Sequence, residues 1–204
     1  MVRRRFHIAA VVLLVVVGLV LLVRVGLVLL AMVGPVVYRM ASLSGGPVIA
    51  LPTPPERALF TVDFILPDIA GNVVRLSDLR GRPVLINIWA TWCYPCRVEM
   101  PSMNALYKAY RAKGLAILAI ATDMQGKPVV APFMQVYGLT FTVLLDPQNM
   151  LLAQLQVPGL PTSYLLDKRG RIVILEIGAR DWNSRQIRHL LDRLLAEDGG
   201  GTTP

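Results

Sequence analysis

Residues 83–114, PVLINIWATWCYPCRVEMPSMNALYKAYRAKG, constrain this chain more than any other stretch. The first part is apolar at nearly consecutive positions, the pattern of a central strand covered on both faces. The last part carries Val98, Met103, Leu106 and Tyr110 at helical spacing, cationic residues in its final turn and Gly114 as a stop signal. Strand and helix meet at Cys93 and Cys96, the only two cysteines among 204 residues. A buried strand running straight into a helix calls for an α/β fold, and it sets both sulfurs at a helix start.

The neighbouring segments extend that reading. FTVDFIL and NVVRLSDL flank the turn PDIAGN as a hairpin, LAILAIATD reads as a strand, PVVAPFMQVYG as a helix and FTVLLD as a short strand. TSYLLDKRGRIVILEIG reads as two strands around the turn DKRGR, and NSRQIRHLLDRLLAED as a closing amphipathic helix with Asn183 as its N-cap. Strands interleaved with helices predict a sandwich with parallel strands and an antiparallel hairpin at one edge.

Unpaired N–H groups at a helix start, together with the helix dipole, favour negative charge. A thiolate at Cys93 gains from both, so its pKa is expected below the free value of about 8.5. Three residues on, the chain has come nearly one turn round. Cys96 can therefore close a disulfide with Cys93, and its deeper sulfur suits resolving a mixed disulfide rather than starting one. Plainer readings compete. A structural staple around so short a loop constrains the unfolded chain little. A metal site needs more ligands, and the two histidines, His7 and His189, stand before the apolar N-terminal run and in the last helix. Two ordinary buried cysteines are the third alternative. Redox chemistry is favoured, with no metal.

Residues 8–38 are apolar apart from Arg24. As one helix they would reach about 46 Å at about 1.5 Å per residue, more than a bilayer core of about 30 Å, and they are too few for two spans. One tilted transmembrane helix ending near Gly34-Pro35 is expected, with the Arg24 stem snorkelling toward an interface. Arg3, Arg4 and Arg5 precede this run and keep the N-terminus in the cytoplasm, so the remaining chain is exported, periplasmic or otherwise extracytoplasmic. VVYRMASLS offers no clear cleavage site, so an uncleaved signal-anchor is expected. The divisions are thus 1–40 as cytoplasmic N-terminus and anchor, 41–57 as a Gly/Pro-rich linker, 58–196 as the domain and 197–204 as a flexible tail. Five of the 21 basic residues and none of the 13 acidic ones lie in residues 1–40, which absorbs most of the +8 net charge. The remainder is near balance, and nucleic acid is not an expected partner.

WATWCYPCRVEMP resembles the active-site segment of thioredoxin-like proteins. It is similar in particular to the membrane-anchored TlpA/ResA/DsbE group of bacterial thiol–disulfide oxidoreductases, within the redoxin/AhpC-TSA superfamily. The likeness continues through NVVRLSDLRGRPVLINIWA, YGLTFTVLLD and VPGLPTSYLLDKRGRI, and it covers about residues 58–195. It implies a thioredoxin-like α/β/α sandwich with an N-terminal β-hairpin, preceded by one transmembrane helix. It makes Cys93 the attacking thiol, Cys96 the resolving one and their disulfide the only redox group, with no cofactor. Pro161 takes the place of the family's cis-proline, leaving Leu160 backbone groups free to pair with substrate. Glu99 stands where the group has a glutamate that tunes the thiols and moves protons. Trp92, Tyr94 and Pro95 join the docking face, and Pro101 matches a helix kink. Asn87 departs from the buried aspartate of cytoplasmic thioredoxins and removes one candidate proton acceptor. The implied partners are exported disulfide-containing proteins, apocytochrome c among them, and a DsbD/CcdA-like membrane electron donor. Two alternatives stand beside this reading. One is a peroxiredoxin-like peroxidase, although Ala90 occupies the place three residues before Cys93 where that chemistry sets Thr or Ser. The other is a binding or chaperone module with a passive disulfide.

Overall fold

β3 (Val84–Trp89) is the centre of a five-stranded sheet, and all six of its residues are buried. The computed structural model describes residues 57–197, together with 18, 21–24 and 27. On one side β3 pairs in parallel with β4 (Ala116–Ala121), which pairs in parallel with β5 (Thr142–Leu145). On the other side lies β6 (Thr162–Leu166), antiparallel to β3, followed by β7 (Ile172–Ile177), antiparallel to β6. The order is β5-β4-β3-β6-β7, with the expected hairpin at one edge. The N-terminal hairpin, β1 (Ile65–Pro67) and β2 (Val73–Arg75), forms a separate two-stranded sheet.

Alternation along the strands sends side chains into two cores. Leu85 and Trp89 join Ile117, Ala119 and Ala121 against α1 (Tyr94–Tyr110), α2 (Lys127–Tyr137) and α4 (Arg185–Ala196). Val84, Ile86 and Ile88 pack with Leu118, Ile120 and Leu144 against Phe60, Phe64, Leu76 and Leu151. Leu151 belongs to α3 (Met150–Gln154), a one-turn helix that the sequence reading passed over. The sandwich is therefore lopsided. Three full helices cover one face, while α3 and the N-terminal hairpin segment cover the other.

Two local expectations are corrected. Val98 is exposed, and the inward stripe of α1 runs instead through Cys96, Glu99, Met100, Met103, Asn104, Leu106 and Tyr110. Spacing alone set Val98 inside because its apolarity counted for more than the three-and-four rhythm from Cys96. The N-cap of α4 is Ser184 rather than Asn183, and the Ser184 hydroxyl accepts from the Ile187 N–H. Asn183 supplies its carbonyl and amide oxygens to the Arg188 guanidinium instead.

The two ends of the described domain are pinned together. Arg57 pairs with both Asp167 (3.1 Å) and Glu197 (3.1 Å), and the Lys168 ammonium donates to the Leu195 and Glu197 carbonyls. Burial pushes the Asp167 carboxyl upward, but hydrogen bonds from the Arg171 backbone and guanidinium and from Arg57 outweigh it. The group sits below the ordinary carboxylate value. Among the described residues no helix is long and apolar enough to cross a membrane. The expected anchor over residues 8–38 lies almost wholly outside the described residues, as do most of the linker and the tail. The described residues 18, 21–24 and 27 are helical.

Candidate active site

The site forms where β3 ends and α1 begins. Cys93 is the N-cap of α1, in extended backbone, and its Sγ accepts from the Cys96 N–H at 3.3 Å. Pro95 falls in the first turn, where a missing N–H costs no intrahelical bond, so the Cys96 amide is left as the donor facing sulfur. Cys93 and Cys96 are joined by a disulfide. Cys93 retains 5% exposure and Cys96 none, so an incoming group can meet only the first sulfur.

A groove of about 530 Å³ opens over Cys93. Trp92, Tyr94 and Pro95 line it from the start of α1, Gly159 and Leu160 from the loop before β6, and Asn149 and Leu152 from the region of α3. Trp92 and Tyr94 are largely exposed, which leaves an apolar rim beside the sulfur. The Leu160–Pro161 peptide bond is cis, the isomer that the resemblance implied. The structure therefore gathers Trp92, Cys93, Tyr94, Pro95 and Leu160 at one opening, with Pro161 following in the chain.

Glu99 is placed differently. It lines a separate cleft of about 370 Å³ with Val98, Ser102 and Arg180, and it is 2% exposed. Its Oε1 accepts from Asn87 Nδ2 at 2.8 Å, while its Oε2 accepts from Trp182 Nε1 at 2.9 Å and from the Arg180 N–H at 3.2 Å. Burial raises the carboxyl strongly, the three donors partly offset that, and the nearby Glu176 charge pushes it up again, to about 7. A carboxyl poised there can take and return a proton near neutral pH. Asn87, read from the sequence only as a lost acceptor, holds Glu99 and also donates to the Ser163 hydroxyl at 2.8 Å.

Three contributors escaped the sequence reading. Trp182 and Arg180 lie in the loop between β7 and α4, and the lone tryptophan in the polar run RDWN was the available signal. The third is Asp123, which ends the run LAILAIATD and is 1% exposed. Its carboxylate accepts from the Thr91 N–H at 3.0 Å and from the Thr91 hydroxyl at 2.5 Å, which fixes the turn leading into Trp92 and Cys93. Asp123→Ala would leave both half-buried Thr91 donors without this acceptor. It is expected to lower the unfolding free energy by about 1–3 kcal/mol in urea titration, with Asp123→Asn, which keeps an acceptor, costing less.

The AhpC/TSA family model matches residues 60–174, more than half of the chain. The chain belongs to the AhpC/TSA family. It is 44% identical over 110 residues to the thiol-disulfide oxidoreductase ResA of Geobacillus kaustophilus, a match covering 54% of this chain and 63% of that relative. With ResA of Bacillus subtilis it shares 38% over 116 residues, covering 57% and 64%. The chain thus spans slightly less than two thirds of these relatives' length. The crystal structure of a candidate thiol:disulfide interchange protein DsbE from Chlorobium tepidum superposes with a TM-score of 0.62 at 32% identity, covering 68% of this chain and 97% of that one. The AhpC/TSA match and these likenesses agree with the thioredoxin-like, ResA/DsbE-type fold built above. Among the described residues no group of three or more His, Cys, Asp or Glu is placed to hold a metal.

Proposed function

We propose that this chain is a thiol–disulfide oxidoreductase that reduces disulfides in exported proteins, held at the membrane by residues 8–38 with its domain outside the cytoplasm. The observation that carries the chemistry is the asymmetry of the pair. Cys93 meets the groove and takes an N–H from the first turn of α1, whereas Cys96 is sealed.

In the reduced chain the Cys93 thiolate attacks one sulfur of a substrate disulfide, forming a mixed disulfide and expelling the other sulfur as a thiolate. Cys96 then gives its proton to the Glu99 carboxylate, and its sulfur attacks Cys93 Sγ. The substrate leaves with its second sulfur as a thiolate, which takes a proton from solvent. Two electrons have passed to the substrate, and the Cys93–Cys96 disulfide is regenerated. A dithiol donor of the DsbD/CcdA kind would reduce it again by the same exchange. The ResA- and DsbE-type relatives support thiol–disulfide exchange itself; reduction is the direction we favour, with apocytochrome c awaiting haem attachment as the substrate. Leu21, Leu22, Val23 and Leu27 are helical and exposed, which fits a lipid-facing segment.

Cys96→Ser in cells tests the assignment, because it leaves the mixed disulfide without a resolving thiol. Exported proteins carrying cysteine pairs should accumulate on Cys93, and apocytochromes among them would identify the role. A chain that traps nothing and instead consumes peroxide would reverse the reading in favour of a peroxidase, although the buried Ala90 offers no hydroxyl three residues before Cys93. A chain that does neither would be a passive disulfide-bearing module.

A further inference from the structure

Cations scattered along the sequence meet at one pole of the domain, the pole farthest from Cys93. β3 begins there at Val84, which pairs with Ala116 of β4 and Leu166 of β6, while Trp89 and the cysteines lie at the other end. α1 runs between the two ends, and its 17 residues cover about 25 Å. Four segments crowd the far pole. The loop before β3 donates its Gly81 N–H to the Lys168 carbonyl, and its Pro83 carbonyl accepts from the Ala116 N–H. The Arg80 guanidinium donates to the Arg169 carbonyl. Lys168 reaches the end of α4 through the Leu195 and Glu197 carbonyls, and Lys113, just past α1, pairs with Asp192 of α4 at 3.8 Å.

These contacts make one continuous surface that carries six exposed cations, Arg80, Arg82, Arg111, Lys113, Arg169 and Arg193. Asp78 and Asp192 are the exposed acids in the same segments, so six positive charges against two negative ones leave +4. Asp167 and Glu197 add little negative charge, because Arg57 pairs with both and Arg171 with Asp167. The Cys93 end presents the apolar rim of Trp92 and Tyr94 instead.

The chain also enters the domain at the basic pole, where Arg57 pairs with Glu197 just past α4. Whatever holds the chain upstream of Arg57 therefore holds this pole first. We propose that the pole is a lipid-facing surface that binds the headgroups of anionic phospholipids and leaves the Cys93 groove facing away from the bilayer, open to exported proteins. The inference rests on the membrane-held reading of residues 8–38. Five of the six cations are arginines, whose planar fork matches phosphate oxygens. They are spread over four segments, which suits a plane of headgroups better than a single small anion. Each cation close to an anionic bilayer strengthens attachment about fivefold, so four net charges supply a factor on the order of 10²–10³.

The chain has four lysines, and two of them report on opposite poles. Lys113 lies in the basic surface. Lys127 opens α2, four residues after Asp123, which holds the turn before Cys93, and both lysines are exposed. The full-length chain would be bound to vesicles of phosphatidylcholine, alone or with phosphatidylglycerol at about one lipid in three. Its lysines would then be acetylated and read by mass spectrometry. Phosphatidylglycerol is expected to slow acetylation of Lys113 about fivefold or more relative to Lys127. Salt at about 1 M should restore it, because the screening length falls to about 3 Å. Arg111→Glu combined with Arg193→Glu brings the exposed balance to zero and should abolish the protection. Both side chains are exposed and far from Cys93, so insulin reduction by the detergent-solubilised double variant should match wild type. Equal labelling with and without phosphatidylglycerol would overturn the proposal, as would stronger protection of Lys127 or protection that survives the double variant. Protection that ignores lipid charge and grows with protein concentration would assign the pole to a second copy of the chain. Flotation with pure phosphatidylcholine at high salt reads the apolar run alone. Its failure would strike the anchoring, while the lysine comparison still decides the pole.

Discussion

Cys93→Ala is expected to take insulin-disulfide reduction by the full-length chain down to background, a loss on the order of 10³-fold or more, the scale on which removing an enzymatic nucleophile is felt. The reason is access as much as reactivity. Cys96 is wholly buried, so it cannot stand in for the missing sulfur, and it lacks the N-cap position that aims the Cys96 N–H at Cys93 Sγ. The helix start favours the thiolate of one cysteine only. Cys96→Ala should behave differently. It leaves the first attack intact, so one equivalent of substrate thiol is released per chain before turnover stops. Undiminished reduction by Cys93→Ala would reject the assignment of the nucleophile.

The second large effect concerns pH and stability. The Glu99 carboxyl lies at about 7 in the folded chain, against 4.5 for an ordinary glutamate. Below the lower value it is protonated in both states. Between the two values only the folded chain holds the proton, so the stability this confers is lost as pH rises and is gone above about 7. Glu99→Gln is shaped like the protonated acid and cannot ionise. Its stability should therefore fall less than that of wild type between pH 5 and pH 8, and the difference should be about 2.5 kcal/mol by urea titration of the oxidised chains. Other titrating groups are common to both chains and cancel. Parallel profiles would mean that the three donors overcome burial and keep Glu99 charged throughout.

Much of this molecule was legible because its signals are local. VLINIWA announces a strand covered on both faces, and the structure buries every residue of it. DKRGR and PDIAGN mark turns between short apolar runs, and both close antiparallel pairs. Two cysteines after such a strand, with a proline in the first helical turn, already locate a reactive sulfur. Less was legible where a residue's partner stands far along the chain. Val98 looked like core, since one apolar residue at plausible spacing cannot reveal which way a helix is turned. Glu99 was singled out only by the resemblance, and nothing near it in the chain showed that it is buried. The short helix α3 escaped because one turn carries too little periodicity to be seen.

The strand, the helix start and the order of the two sulfurs were thus determined by residues within a few positions of one another, where hydrophobic rhythm and end effects act directly. The surroundings of the carboxyl were decided only by the closed fold. Asn87 reaches Glu99 from 12 residues away, Arg180 from 81 and Trp182 from 83. Nothing in a linear sequence marks which distant donors will converge on one buried oxygen. That depends on how β3, β7 and the following loop pack around α1, and this packing sets whether the group holds its proton.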